Sequence, residues 1–99
     1  MRDVNHFVNG KALTGTSGRF GDIFNPNTGE VQARVQFATD KEMDDAVQAA
    51  AKAQATWAQV NPQRRARVMF EFKRLVEANM EELAALLSSE HGKVIADSK

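Results

Sequence analysis

At Thr39 the apolar residues change period, and that change decides what the chain can fold into. Upstream, Val31, Ala33, Val35 and Phe37 alternate with Gln32, Arg34 and Gln36, the two-residue period of a half-buried antiparallel strand. Downstream, Met43, Ala46, Val47, Ala50, Ala53 and Trp57 recur at helical spacing, with Asp44, Asp45, Gln48 and Lys52 elsewhere on the surface. Thr39 and Glu42 stand three apart, the spacing of a capping box in which each side chain satisfies the other residue's free backbone N–H. The expected fold class is α+β, with a β-rich segment over 1–38 and a helical segment over 39–99.

Turn chemistry divides each half further. Short strands and hairpins are expected between about 5 and 37. Asn9-Gly10, between His6-Phe7-Val8 and Lys11-Ala12-Leu13, suits a two-residue hairpin turn with two positive φ angles. Thr14 to Gly18 reads as loop, and Phe20–Phe24 as a second extended piece. Asn25-Pro26-Asn27-Thr28-Gly29 turns the chain into the alternating strand. Helices are expected at about 40–58, 62–78 and 79–91. Asn61-Pro62 supplies a cap and a first-turn proline for the second. Val68, Met69, Phe72, Leu75 and Val76 form its apolar face. The pattern breaks at Asn79 and continues through Leu83, Ala84, Leu86 and Leu87, and Gly92 is the left-handed stop.

Composition excludes several classes of function. The 99 residues carry 13 basic and 13 acidic groups, so no net field draws the chain to nucleic acid or an anionic membrane. Residues 1–38 hold four basic and three acidic groups, leaving nine and ten for residues 39–99. Cysteine is absent, which removes disulfides, thiolate metal sites and a thiol nucleophile. No apolar run approaches a membrane span, and the N-terminus lacks a secretory signal's apolar core. A cytoplasmic location is expected.

The polar constellations read as surface chemistry. Arg64, Arg65 and Arg67 with Lys73 and Arg74 could grip a phosphate, but they spread over more than one helix face. Glu71 and Glu77 are spaced to pair with Arg67, Lys73 or Arg74. His6 and His91 stand far apart, and no second cluster completes a metal site. Gly15, Gly18 and Gly21 lead into a strand, whereas a phosphate loop leads into a helix. Asp44-Asp45 and Glu81-Glu82 lie near helix starts, where a positive helix end favours them. Trp57 is expected to anchor the first helix on its neighbour, with a subunit contact as the alternative. No catalytic, cofactor-binding or metal-ligating residue is assigned.

In order and spacing, several short motifs together resemble the N-terminal segment of an aldehyde dehydrogenase. They are Phe7-Val8-Asn9-Gly10-Lys11; Phe24-Asn25-Pro26-Asn27-Thr28-Gly29-Glu30-Val31; Asp44-x-Ala46-Val47 leading to Ala50 and Trp57; Pro62 and Arg67; and Glu82-Leu83-Ala84 leading to Glu90-x-Gly92-Lys93. Arg64 to Phe70 and Glu90-His91-Gly92-Lys93 with Ala96-Asp97-Ser98 are most similar to the methylmalonate-semialdehyde dehydrogenases, the coenzyme A-acylating branch.

That resemblance implies a parent enzyme in which a cysteine thiolate attacks the aldehyde, hydride passes to NAD, and coenzyme A takes the acyl group with loss of carbon dioxide. It places the nucleophile and the NAD and coenzyme A sites outside these residues. The chain then corresponds to an incomplete part of the N-terminal cofactor-binding domain, inactive alone. Its expected partner is the remainder of the same enzyme, in an oligomer. The free segment is expected to self-associate through uncovered apolar faces. A hydrolytic aldehyde dehydrogenase and a stand-alone helical interaction module are the alternatives.

Overall fold

The computed structural model describes residues 1–99, which divide into two compact units. The first contains residues 1–24 and 31–59, and the second residues 25–30 and 60–99. This division cuts across the compositional one at Thr39. The first predicted helix groups with the strands, and the Asn25–Glu30 turn groups with the later helices.

The first unit holds β1 (Arg2–Val4), β2 (His6–Val8), β3 (Lys11–Leu13), β4 (Phe20–Phe24), β5 (Val31–Gln36) and α1 (Asp40–Trp57). β2 and β3 form an antiparallel hairpin with Phe7 opposite Ala12. Its turn is the one expected, with φ of 53° at Asn9 and 74° at Gly10. A second sheet has the order β1-β5-β4. β4 pairs antiparallel with β5, with an irregularity at Ile23/Phe24. β1, which the hydrophobic pattern does not reveal, pairs parallel with β5, setting Asp3 beside Arg34.

As the central strand, β5 buries Ala33 to 1% exposure. The alternation holds there and breaks at the end. Gln36 is 7% exposed and Phe37 is 45% exposed, the reverse of the expected facing. The cause is a long-range loop: Gly15 lies so close over the Gln36 side chain that an added Cβ would overlap it. Phe37, past the end of the strand, lays its ring over Gly21. The loop is tied down by Ser17, whose hydroxyl donates to the Phe37 carbonyl, and by Arg19, whose guanidinium donates to the Ala38 carbonyl at 3.0 Å.

α1 starts at the predicted box. The Glu42 N–H donates to Thr39 Oγ1 at 3.0 Å, and the Thr39 N–H donates to Glu42 Oε1 at 3.1 Å. Its inward side is Glu42, Ala46 and Ala49, all part-buried, whereas Ala50 and Ala53 are exposed. No residue of α1 is buried. Trp57, expected as an anchor, is 40% exposed.

The second unit holds α2 (Pro62–Ala78), α3 (Met80–His91) and α4 (Ile95–Ser98). Asn61 caps α2 by accepting from the Gln63 N–H at 2.8 Å, and Pro62 occupies the first turn. At Asn79 the backbone leaves helical geometry and the side chain donates to the Leu75 carbonyl at 2.8 Å, separating α2 from α3. Gly92 ends α3 at φ 88°, its N–H bonded to the Ser88 carbonyl. Pro26 sits so near that a Cβ on Gly92 would meet its ring at 3.2 Å. The Asn25–Glu30 turn therefore rests on the end of α3. α4 folds back on α3 through Ser88–Ser98 and Lys99–Glu81 contacts. Ala84, at 2%, is the buried apolar residue here.

Neither unit has a completed core. Phe70 is 70% exposed, Phe72 60% and Met43 60%, and no large side chain is fully enclosed. A self-contained globular monomer of 10.9 kDa exposes about 5,600 Å² by surface-to-mass scaling. This chain exposes 7815 Å², roughly 2,200 Å² more than that scaling allows.

Candidate functional site

The polar cluster that the fold assembles centres on Glu42. Its position on the first turn of α1 follows from the capping box, and the Thr14–Gly18 loop brings Thr16 to the same carboxylate. Glu42 Oε1 accepts from the Thr39 N–H, from the Thr16 N–H at 3.4 Å and from the Thr16 hydroxyl at 3.3 Å. Glu42 Oε2 lies 3.7 Å from His6 Nε2, a nitrogen that is enclosed and has no hydrogen-bond partner. Hydrogen bonding from Thr39, joined by Thr16, holds the Glu42 carboxyl below its ordinary value of 4.5 against the opposing effect of desolvation.

A depressed carboxyl contributes stability that is present above its unfolded value and is lost as pH falls through its folded one. Glu42→Gln keeps the shape and removes the charge. It is expected to be less stable than the native chain at neutral pH, with the gap closing on acidification below the ordinary carboxyl range. Urea unfolding at pH 7 and pH 3.5 checks this; a gap that does not change with pH contradicts it.

Beside this cluster, between the β2–β3 hairpin and α1, is a cavity of about 250 Å³. His6, Phe7, Val8, Leu13, Met43 and Glu42 line most of it, with Asp45 at the rim. A dinucleotide does not fit here. Its pyrophosphate would face two carboxylates with no Lys or Arg in the wall, so no step of hydride chemistry is built on these residues. The cluster has no nucleophile to activate, and its chemistry is that of a polar clasp between the loop and the start of a helix.

The other sequence candidates are dispersed. Arg74 pairs with Glu71 at 2.6 Å and Lys73 with Glu77 at 3.0 Å, as their spacing suggests. Arg67 makes no such pair, and Arg64 and Arg65 are likewise outside the ion pairs. Asp45 pairs with Lys41 at 2.6 Å and Glu81 with Lys99. His91 ends α3, and no group of three or more His, Cys, Asp or Glu side chains is placed to hold a metal. Of the three loop glycines, Gly15 packs on Gln36 and Gly21 on Phe37, which gives them a packing role. No helix is long and apolar enough to cross a membrane. The Thr16–Glu42 contact escaped sequence reasoning, because a loop threonine 26 residues away carries no periodic signal.

The known proteins that share this arrangement decide the family. Residues 13–99 match the aldehyde dehydrogenase family. The chain belongs to that family. A Sinorhizobium meliloti 1021 protein assigned as a methylmalonate-semialdehyde dehydrogenase and solved with NAD superimposes with a TM-score of 0.94. It is 53% identical, over 99% of this chain and 20% of the other. The methylmalonate-semialdehyde dehydrogenase of Oceanimonas doudoroffii gives 0.93 at 38% identity, again over 99% and 20%. The malonate-semialdehyde dehydrogenase of Pseudomonas aeruginosa is 38% identical over 98 residues, 99% of this chain and 20% of its own length. The chain thus spans about a fifth of these relatives. Its strands followed by helices match the N-terminal part of the aldehyde dehydrogenase fold, as the motifs implied. Within the family it is most like the methylmalonate- and malonate-semialdehyde enzymes.

Proposed function

We propose that these residues are the N-terminal scaffold of an NAD-dependent, coenzyme A-acylating methylmalonate- or malonate-semialdehyde dehydrogenase. The observation that carries this reading is the unfinished core. A chain that exposes Phe70, Phe72, Met43 and Leu75 is built to be covered, and its relatives are about five times its length. The excess of roughly 2,200 Å² is well above the ~800 Å² that one partner contributes to a standard interface, and is of the size seen when a domain core is cut.

In the proposed reaction the semialdehyde is oxidised, NAD is reduced, and the acyl group passes to coenzyme A with loss of carbon dioxide. Lacking cysteine, the 99 residues contribute no thiolate to it. Their role is to hold shape: the sheet and α1 on one side, and the capped helices on the other. The remaining length of the enzyme is the partner, and the assembled enzyme is an oligomer working in the cytoplasm.

The experiment is NADH formation from malonate semialdehyde by the full-length polypeptide, with and without coenzyme A. A requirement for coenzyme A supports the reading. Equal turnover with water as acceptor contradicts the acylating assignment, and oxidation by the 99 residues alone contradicts the scaffold assignment.

A further inference from the structure

Along α2, Arg65, Val68 and Phe72 follow at i, i+3 and i+7 and share one face of the helix. The apolar part of that face is open, with Val68 53% and Phe72 60% exposed. With Arg67, Glu71 and Leu75 these residues line a shallow concavity of about 470 Å³. Arg65 itself is part-buried. Its Nε–H is enclosed without an acceptor, and no carboxylate pairs with its guanidinium.

That state is costly for a permanent cation. A guanidinium withdrawn from water loses solvation, and only a paired, hydrogen-bonded anion offsets the loss. The acids nearest along the helix are committed elsewhere: Glu71 to Arg74 and Glu77 to Lys73. Arg74 holds the Glu71 carboxyl below its ordinary range, as an engaged carboxylate should be. Arg64 and Arg67 add like charge on either side, and the first turn of α2 contains no acid. The surroundings of Arg65 thus supply apolar contact and positive charge, and lack an acceptor.

We propose that the surface that covers α2 is an apolar segment presenting a carboxylate to Arg65, contributed by the length of the parent polypeptide that these residues do not span. The charge sets the chemistry of the occupant, and the five-fold greater length of the relatives supplies it. This inference rests on the scaffold reading above. Arg65 acts here as a positioning residue that sets the register of the covering segment on Val68 and Phe72.

The test uses the full-length polypeptide with Arg65→Met, which keeps the apolar stem and removes the charge, and Arg65→Lys, which keeps the charge and removes the fork. The rate of thermal inactivation is measured at pH 7 and at pH 4. At pH 7 Arg65→Met is expected to inactivate about tenfold faster or more, the consequence of stranding a buried carboxylate. The difference is expected to shrink at pH 4 as the partner protonates, and Arg65→Lys to recover part of the loss. A packing role alone would give a loss independent of pH, and that result overturns the proposal. So does native-like inactivation of Arg65→Met at both pH values. A structure in which the acid on Arg65 comes from residues 1–99 of a second copy, or from an unrelated protein, overturns it as well. Should Arg65→Met fail to fold, Arg65→Lys decides, and its behaving as the native enzyme would count against the proposal. Full activity with no sensitivity at Arg65 refutes this inference alone, whereas absence of NAD-dependent aldehyde oxidation refutes the scaffold reading beneath it.

Discussion

Purified by itself, the 99-residue chain is expected to self-associate at micromolar concentration rather than persist as a 10.9 kDa monomer. The reason is area. Contiguous apolar patches beyond a few hundred Å² are rare on monomers that stay monomeric. This chain exposes Val68, Met69, Phe70, Phe72 and Leu75 along a single helix. α2 is apolar over more of its circumference than any one contact within its unit covers, so association relieves exposure that folding alone leaves. Light scattering coupled to size exclusion reads the result. The paired change Phe70→Ser and Phe72→Ser should shift the population toward monomer, because both side chains lie outside the existing contacts. A native chain that remains monomeric at 100 µM would show that the open faces are tolerated by solvent, and the scaffold account would lose its main physical support.

Gly15→Ala is expected to destabilise the first unit by about 1–3 kcal/mol, the usual cost of forcing volume into a packed site. Two effects oppose each other at this position. Replacing glycine narrows the unfolded ensemble, which stabilises by about 0.4–1 kcal/mol where the backbone tolerates alanine. The new methyl, however, would come within 2.8 Å of both Gln36 Cδ and His6 Nε2. Gln36 is buried and the enclosed His6 nitrogen is a cluster member, so neither gives way freely and the steric cost exceeds the entropic gain. Gly18→Ala serves as the contrast. Nothing lies within 4 Å of its added Cβ, but its φ is +70°, so its cost is backbone strain of about 1 kcal/mol. Denaturant midpoints of the two variants separate the mechanisms, and a Gly15→Ala chain as stable as the native one would contradict the packing described.

Local signals were read correctly where the physics is local. Asn9-Gly10, the Thr39–Glu42 box, Asn61-Pro62 and Gly92 each act within a few residues, and each is found performing the expected backbone task. What escaped was set at long range. β1 is a three-residue strand containing Arg2 and Asp3, and its parallel partner lies some 30 residues onward, so neither composition nor alternation marks it. The facing of Gln36 and Phe37 is decided by a loop crossing the strand end. Trp57 and the Ala50–Ala53 part of α1 look like core from spacing alone, yet they are exposed here. Their pattern matches the scaffold account, in which apolar periodicity records contacts made with more of the protein than these residues contain. Arg65 was grouped with the solvated arginines for the same reason: sequence shows the charge but not the enclosed Nε.

Hydrogen–deuterium exchange across Pro62–Ala78 in the full-length polypeptide and in the 99-residue chain tests the central claim most directly. If α2 is a face built for cover, its amides exchange at least about a hundredfold more slowly in the full-length protein, the difference between a helix that opens locally and one locked to global unfolding. Equal exchange in the two would mean that nothing covers α2, and the scaffold account would be wrong.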